Sequence, residues 1–173
     1  VLSQVLDENM QAVGAIGFTE EDYAFARELG RDFTEEQRKR VGAALFTEPD
    51  QIPKGSYLEA GVYPIRDKGT VKAASTDAGD VSYIAPFAQF NVATWPLGCP
   101  PHSWYASAAS GSGIGMNAMI FAAKVLAGAL VDLLTEPDTV DRAQKEFRES
   151  LDGFCYVPPA EEAAANEALT TIV

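Results

Sequence analysis

The feature of this sequence that most constrains the fold is an apolar stretch that runs from Ile114 to Leu134. Its charged residues are Lys124 and Asp132, and several alanine and glycine residues accompany them. A helix of this composition is hydrophobic on nearly every face, as is typical of a helix that packs against a sheet and is also covered by neighbours. We therefore predict a buried helix here and not a membrane span.

Length and charge set the broad class of the protein. The chain has 173 residues, of which 47% are hydrophobic, so it is long and apolar enough to form one sizeable domain. Its 13 basic and 25 acidic residues give a net charge of −12, which disfavours nucleic acid and anionic membranes as partners. Cys99 and Cys155 are too few for a disulfide framework, so we expect a reducing, cytoplasmic location.

Helix signals dominate the first 45 residues. Apolar residues fall at helical spacing over residues 1–13 with no capping residue ahead of them, so we expect the chain to begin inside a helix. Thr19 and Thr34 are each followed by acidic residues, and both positions predict the start of a helix. The first of these helices is predicted to run to about Gly30, and the second through Leu45.

Two short segments carry the features of β-strands. Thr70–Ala74 predicts the first strand, and the aromatic and β-branched segment Phe87–Trp95 predicts the second. A final helix is predicted from near Pro137 through Glu149. Strands that alternate with helices indicate an α/β layer architecture, and the small number of strands indicates that the sheet is incomplete.

His102 is the single histidine of the sequence, so any imidazole chemistry in this chain must use it. It lies in the proline-rich loop Leu97–Trp104, directly after a predicted strand, where open α/β sheets place their ligand sites. Imidazole is a common metal ligand, although a lone histidine is more often structural or solvated. The residues alone leave both roles open.

Three further residues could take part in chemistry, namely Cys99, Asp77 and Asp80. Cys99 and His102 have the spacing of half a zinc site or of a thiol nucleophile with its base. A structural zinc site needs four ligands and a nucleophile needs a base held by a third group, so a small packed side chain is the simplest interpretation of Cys99. Asp77 and Asp80 could bind metal, act as acid and base, or orient a histidine, and they could also simply cap the turn and the helix after it.

Several segments together resemble one enzyme family. Ser75-Thr-Asp-Ala-Gly-Asp-Val-Ser82 resembles a Ser-Thr-Asp-x-Gly-Asp-Val-Ser segment, and Gly98-Cys-Pro-Pro-His-Ser-Trp104 resembles Gly-Thr-Pro-Gly-His-Ser-Trp. Ala122-Ala-Lys-Val-Leu-Ala127 resembles the next helix, and residues 17–27 resemble the segment that re-enters the catalytic domain. These segments are similar, in order and spacing, to those of the p-aminobenzoyl-glutamate hydrolase B subunit branch of the aminoacylase and carboxypeptidase superfamily.

The resemblance implies an α/β fold, a partial three-layer sandwich similar to the C-terminal part of a zinc-dependent exopeptidase catalytic domain. By the same comparison, residues 1–14 form the tail of a helix from the dimerisation domain or a linker. Residues 15–159 then form the C-terminal part of the catalytic domain, and residues 160–173 form a C-terminal tail. The resemblance also implies that the parent enzyme is a homodimer, or that a partner chain supplies the N-terminal half.

For the chemistry, the resemblance implies a metal-dependent amidohydrolase that cleaves the amide bond of an N-acyl or aminobenzoyl amino acid, such as p-aminobenzoyl-glutamate. The complete site holds two divalent ions, zinc or manganese. The position that matches His102 supplies one late metal ligand, and the same comparison places Thr76, Asp77, Asp80 and Ser103 along the site. The general base and most ligands belong to the N-terminal part of such enzymes, so we expect no catalytic residue in this chain, weak metal binding and no activity in isolation.

Three departures from the family pattern bear on the site. Cys99 replaces a threonine, Pro101 replaces a glycine, and Met116-Asn117 stand where we expect His-Lys. Pro101 restricts the loop backbone immediately before His102 and could re-aim its imidazole. A non-catalytic binding or scaffold subunit, completed by a partner chain, is the alternative function.

Overall fold

The computed structural model describes residues 1–45, 56–63, 65 and 76–158, with side chains up to Arg40 in the first range. Within these residues the regular elements are all helices. They are, in chain order, α1 (Leu2–Val13), α2 (Glu20–Leu29), α3 (Glu35–Leu45), α4 (Ala78–Ser82), α5 (Trp104–Ser110), α6 (Gly113–Thr135) and α7 (Pro137–Leu151). The prediction of an α/β three-layer sandwich is therefore wrong for the described part of the chain.

The segment predicted to be the second strand, Phe87–Trp95, is irregular and joins no strand ladder in the described residues. Its residues Ala88, Phe90 and Val92 pack, partly buried, against a hydrophobic cluster between α1 and α6. Aromatic and β-branched residues favour strands because they fit a half-buried surface, and an irregular segment that packs on helices offers a similar surface. The predicted first strand, Thr70–Ala74, lies outside the described residues.

Helix α6 is the centre of the fold, because α1, α2, α5 and α7 all contact it. Val5 and Leu6 of α1 pack against Phe121, Val125 and Ala129 of α6 in one buried cluster. From Gly115 onward the buried residues of α6 recur at intervals of three or four, so they share one side of the helix. Hydrophobic burial on this side fixes the rotation of α6 about its axis.

A polar contact fixes α1 on α6 in the same region. The Asn9 side-chain amide donates to Asp132 Oδ2 at 2.6 Å and to the carbonyl of Val5 at 2.9 Å. Gly128 faces this amide, and a methyl group at Gly128 would collide with the Asn9 side-chain oxygen. The close approach of the two helices therefore depends on glycine at position 128.

Helices α2 and α3 begin with the capping arrangements that the sequence predicts. The backbone N–H of Asp22 donates to Thr19 Oγ1 at 3.2 Å, and the backbone N–H of Thr19 donates to Asp22 Oδ2 at 2.8 Å. Thr34 and Gln37 form the same reciprocal pair, with distances of 3.1 Å and 2.7 Å. Each pair satisfies two backbone donors that a helix start would otherwise leave unpaired.

The structure confirms the helices that the sequence predicts at the positions of α1, α6 and α7. Helix α5 is not indicated by the sequence patterns, because its serine and alanine residues also suit a loop. The expectation that α6 is covered on nearly every face is wrong in the described residues. One of its sides is packed, and the opposite side is exposed.

Candidate functional site

His102 lies in a loop whose two ends are fixed by the rest of the fold. On one side, the backbone N–H of Leu97 donates to the carbonyl of Tyr57 at 2.8 Å, and Cys99 is only 3% exposed. On the other side, Ser103 is the N-cap of α5. The loop therefore holds His102 at a defined and exposed position on the surface.

The backbone of His102 adopts a left-handed conformation, with a φ of 55°. This conformation costs roughly 1–2 kcal/mol for a residue other than glycine, although histidine adopts it more often than most. Such conformations persist where the surrounding structure enforces them, and they cluster at functional sites. The conformation of His102 thus supports it as a candidate site residue.

Ser103 has a structural role that accounts for its contacts. Its hydroxyl donates to the carbonyl of Pro100 at 2.6 Å and accepts from the backbone N–H of Ala106 at 3.3 Å. The first bond closes the loop around His102, and the second starts α5. Ser103 therefore positions the loop that carries His102.

Cys99 is a packed side chain, as its simplest interpretation predicts. It belongs to a buried cluster with Phe33 and Ala106. Burial raises the pKa of the Cys99 thiol, and a hydrogen bond with Ser103 opposes this shift in part. A nucleophilic cysteine needs a lowered pKa and access to substrate, so the environment of Cys99 argues against a thiol mechanism.

Thr76 and Asp77 lie at the start of α4, where both side chains are exposed. Asp77 occupies the N-cap position but has a helical backbone conformation, and its side chain makes no capping hydrogen bond. Thr76 Oγ1 accepts from the backbone N–H of Ala78 instead, at 3.3 Å. The capping interpretation of Asp77 is therefore wrong, and its carboxylate faces solvent.

Asp80 pairs with Tyr156, a residue that the sequence patterns do not indicate. The phenol of Tyr156 donates a hydrogen bond to the Asp80 carboxylate, and this bond, together with smaller effects of burial and charge, raises the pKa of Tyr156 to about 12. The ring of Tyr156 also stacks on Tyr83, with centroids 5.3 Å apart and an interplanar angle of 1°. Nothing in the local pattern indicates this contact, because the two partners lie far apart in the chain.

Asn117 stands at a position where the sequence departs from the family pattern. Its side-chain amide donates to Asp22 Oδ2 at 2.8 Å, so it joins α6 to the start of α2. Met116 beside it is exposed. The departure at Asn117 is thus accommodated by a structural hydrogen bond.

The candidate residues belong to two different segments of the chain. Thr76, Asp77 and Asp80 lie at α4, whereas His102 and Ser103 lie in the loop before α5. No group of three or more His, Cys, Asp or Glu side chains in the described part of the chain is arranged to hold a metal ion. His102 can offer one ligand, which is too few for a site of useful affinity.

The comparisons with known proteins point first to a class, the hydrolases. The chain is similar to the B subunit of p-aminobenzoyl-glutamate hydrolase from Escherichia coli (strain K12), with 27% identity over 165 residues. The similarity covers 91% of this chain and 34% of the relative, so the chain spans about a third of the relative's length. No protein-family model matches the chain, and no solved structure matches it. The similarity supports a distant relationship to that hydrolase subunit.

Proposed function

We propose that this chain is part of a metal-dependent amidohydrolase that cleaves the amide bond of an N-acyl or aminobenzoyl amino acid, such as p-aminobenzoyl-glutamate. The observation that carries the proposal is the similarity to a hydrolase subunit over 91% of the chain. We also propose a cytoplasmic enzyme, either a homodimer or a complex in which a partner chain supplies the missing half of the site. The other two-thirds of such a protein would provide the general base and most metal ligands.

His102 is the metal ligand that this chain contributes in the proposed enzyme. Its exposure, its left-handed backbone and the fixed ends of its loop all suit a side chain that is presented to a ligand. The described residues do not by themselves complete a site for zinc or manganese. The isolated chain should bind metal weakly and should not hydrolyse the substrate.

The other candidate residues divide into two roles. Thr76 and Asp77 are exposed, and the Asp77 carboxylate makes no capping bond, so these two side chains are available to line the site. Asp80 is engaged with Tyr156, and Ser103 with Pro100 and Ala106. Asp80 and Ser103 therefore hold the neighbouring segments in place.

Calorimetric titration of the chain with zinc tests the role of His102. We expect binding weaker than a Kd of about 1 µM, and we expect the His102→Asn variant to lose it. Asparagine also tolerates a left-handed backbone, so this variant removes the imidazole while it preserves the loop. Binding tighter than about 1 µM that survives His102→Asn would contradict the assignment.

A non-catalytic binding or scaffold subunit is the second candidate function. It is compatible, as the enzyme also is, with the observation that the described residues contain no group able to hold a metal ion. A complex with a partner chain that contains about two metal ions and hydrolyses p-aminobenzoyl-glutamate would support the enzyme. A stable complex that holds no metal and shows no hydrolysis would support the scaffold.

A further inference from the structure

One side of α6 carries a continuous apolar surface that nothing covers in the described part of the chain. We call this surface the outer stripe, and its members share exposure and helical spacing. They are Met116, Met119, Ile120, Ala123, Leu126, Ala127, Leu130, Val131 and Leu134. At 1.5 Å of rise per residue the outer stripe is about 27 Å long, and monomeric proteins seldom expose apolar patches of this extent without a partner.

The outer stripe cannot turn inward, because the opposite side of α6 is already packed. Val125 is fully buried on that side. The hydrogen bonds of Asn117 with Asp22 and of Asp132 with Asn9 also lie away from the outer stripe. Lys124 lies at the edge of the outer stripe, and the outer stripe itself contains no charged residue. The surface therefore suits a partner that is apolar and uncharged along its length.

Helix α6 is long and apolar enough to cross a membrane by length and composition. The buried side of α6 is nevertheless occupied by α1, and it carries hydrogen-bonded polar groups that lipid would not satisfy. The net charge of −12 also opposes an anionic membrane surface. These features favour a protein partner over a bilayer.

We propose that the outer stripe is the surface on which the remainder of the hydrolase packs. The similarity covers only 34% of the related subunit, so about two-thirds of a related enzyme is left to pack against this surface. The inference rests on the proposed function and identifies the interface that completes it. The partner is thus a polypeptide equivalent to the part of the relative that this chain does not match.

The proposed interface on α6 lies close in the chain to the loop that carries His102. Helix α5 follows the His102 loop directly, and Gly111 and Ser112 lead from α5 into α6. Helices α5 and α6 are also in contact. A polypeptide bound at the Met116 end of the outer stripe would therefore lie on α6 near α5, the helix that follows the His102 loop.

Coexpression tests this inference. The chain is coexpressed with a polypeptide that comprises the two-thirds of the Escherichia coli subunit outside the similar region, and complexes are analysed by size-exclusion chromatography with light scattering. We expect a 1:1 complex, and we expect Leu126→Glu together with Leu130→Glu to reduce its yield at least about tenfold. Val140→Glu on α7 is the matched control, because Val140 is also exposed but lies outside the outer stripe.

Thermal melting of the isolated variants checks the fold, and we expect unchanged melting temperatures because the substituted residues are exposed. Absence of the complex on coexpression, including insolubility of the complementing polypeptide beside the wild-type chain, overturns the proposal. A homodimer or binding to lipid vesicles that the double substitution abolishes also overturns it, because another occupant then covers the outer stripe. A complex that forms through the outer stripe but hydrolyses nothing supports the interface and counts against the proposed function.

Discussion

The side-chain amide of Asn117 donates to the carboxylate of Asp22 at 2.8 Å and so joins the N-terminal parts of α6 and α2. Asp22 is only 5% exposed, and the same oxygen atom accepts from the backbone N–H and the hydroxyl of Thr19, at 2.8 Å and 2.9 Å. A buried carboxylate needs several donors to offset the loss of water. Asn117 and Thr19 together provide three of them here.

Replacement of Asn117 should therefore destabilise the fold. We expect Asn117→Ala to lower the free energy of unfolding by about 1–3 kcal/mol, because it removes one donor from a buried charged acceptor. Urea unfolding measures the change. Met116→Ala is the neighbouring control, since Met116 is exposed. Equal losses from the two variants would show that the bond contributes nothing.

Gly128→Ala should destabilise the chain although alanine is the better helix former. The added methyl group meets the Asn9 side-chain oxygen, and Asn9 is held by Val5 and Asp132. Overpacking of this kind costs about 1–3 kcal/mol, which over most of that range outweighs the gain of roughly 1 kcal/mol in helix propensity.

Gly79→Ala in α4 is the matched control for that substitution, because a methyl group there meets nothing within 4 Å. It should leave the melting temperature unchanged or raise it slightly. Thermal unfolding followed by circular dichroism compares the two variants. A higher melting temperature for Gly128→Ala would show that α1 and α6 can separate without cost.

The two cysteines should differ strongly in reactivity. Cys155 is exposed and Cys99 is buried, and burial also raises the pKa of the Cys99 thiol, which keeps it protonated. With a chromogenic disulfide reagent near pH 8, we expect Cys155 to react at least about a hundredfold faster than Cys99, whose reaction must wait for local opening.

The Cys155→Ser variant isolates the slow thiol, and denaturant should make it react at once. Rapid modification of Cys99 in that folded variant would restore the thiol mechanism as a hypothesis.

Ultraviolet titration should show that Tyr156 has a pKa of about 12. Asp80→Asn removes the carboxylate that the phenol donates to, so it should bring this pKa back toward the usual value near 10. Asp77→Asn, which leaves the bond in place, should not change the titration. An unchanged high pKa in Asp80→Asn would mean that another group causes the shift.

The same pair gives a stability prediction with a defined sign. The pKa of Tyr156 is higher in the folded chain than in the unfolded chain, so the bond stabilises the fold fully below about pH 10. The stabilisation should be lost as the pH rises from about 10 through the folded value of about 12. Asp80→Asn should remove this part of the pH dependence in urea unfolding. Equal pH dependence in the two proteins would contradict the bond.

The starts of α2 and α3, and the approximate extents of α1, α6 and α7, could be predicted because their causes are local. Thr19 and Thr34 bond to residues three positions away, and helical periodicity places apolar side chains on one side without knowledge of the partner. The loop that carries His102 could likewise be located from its prolines. The capping bonds and the helical periodicity both arise within a few neighbouring residues. The helices predicted from them are confirmed by the structure.

The prediction of a sheet failed for a related reason. A strand is stabilised by a neighbouring strand, and the pattern of Phe87–Trp95 reports only that its residues suit a half-buried surface. In the described residues that surface is provided by the helices, so the segment stays irregular. The α/β architecture could not be decided from the pattern of one segment.

By itself, the sequence determined the main helices and their caps, the single histidine in its proline-rich loop, and the residues that resemble a hydrolase subunit. Only the tertiary structure decided that Cys99 is buried, that Asp80 pairs with Tyr156, that Asn117 bonds to Asp22, and which side of α6 is packed. The physical reason is distance along the chain. Capping and helical periodicity act within a few residues, whereas burial and these pairings depend on segments that only folding brings together.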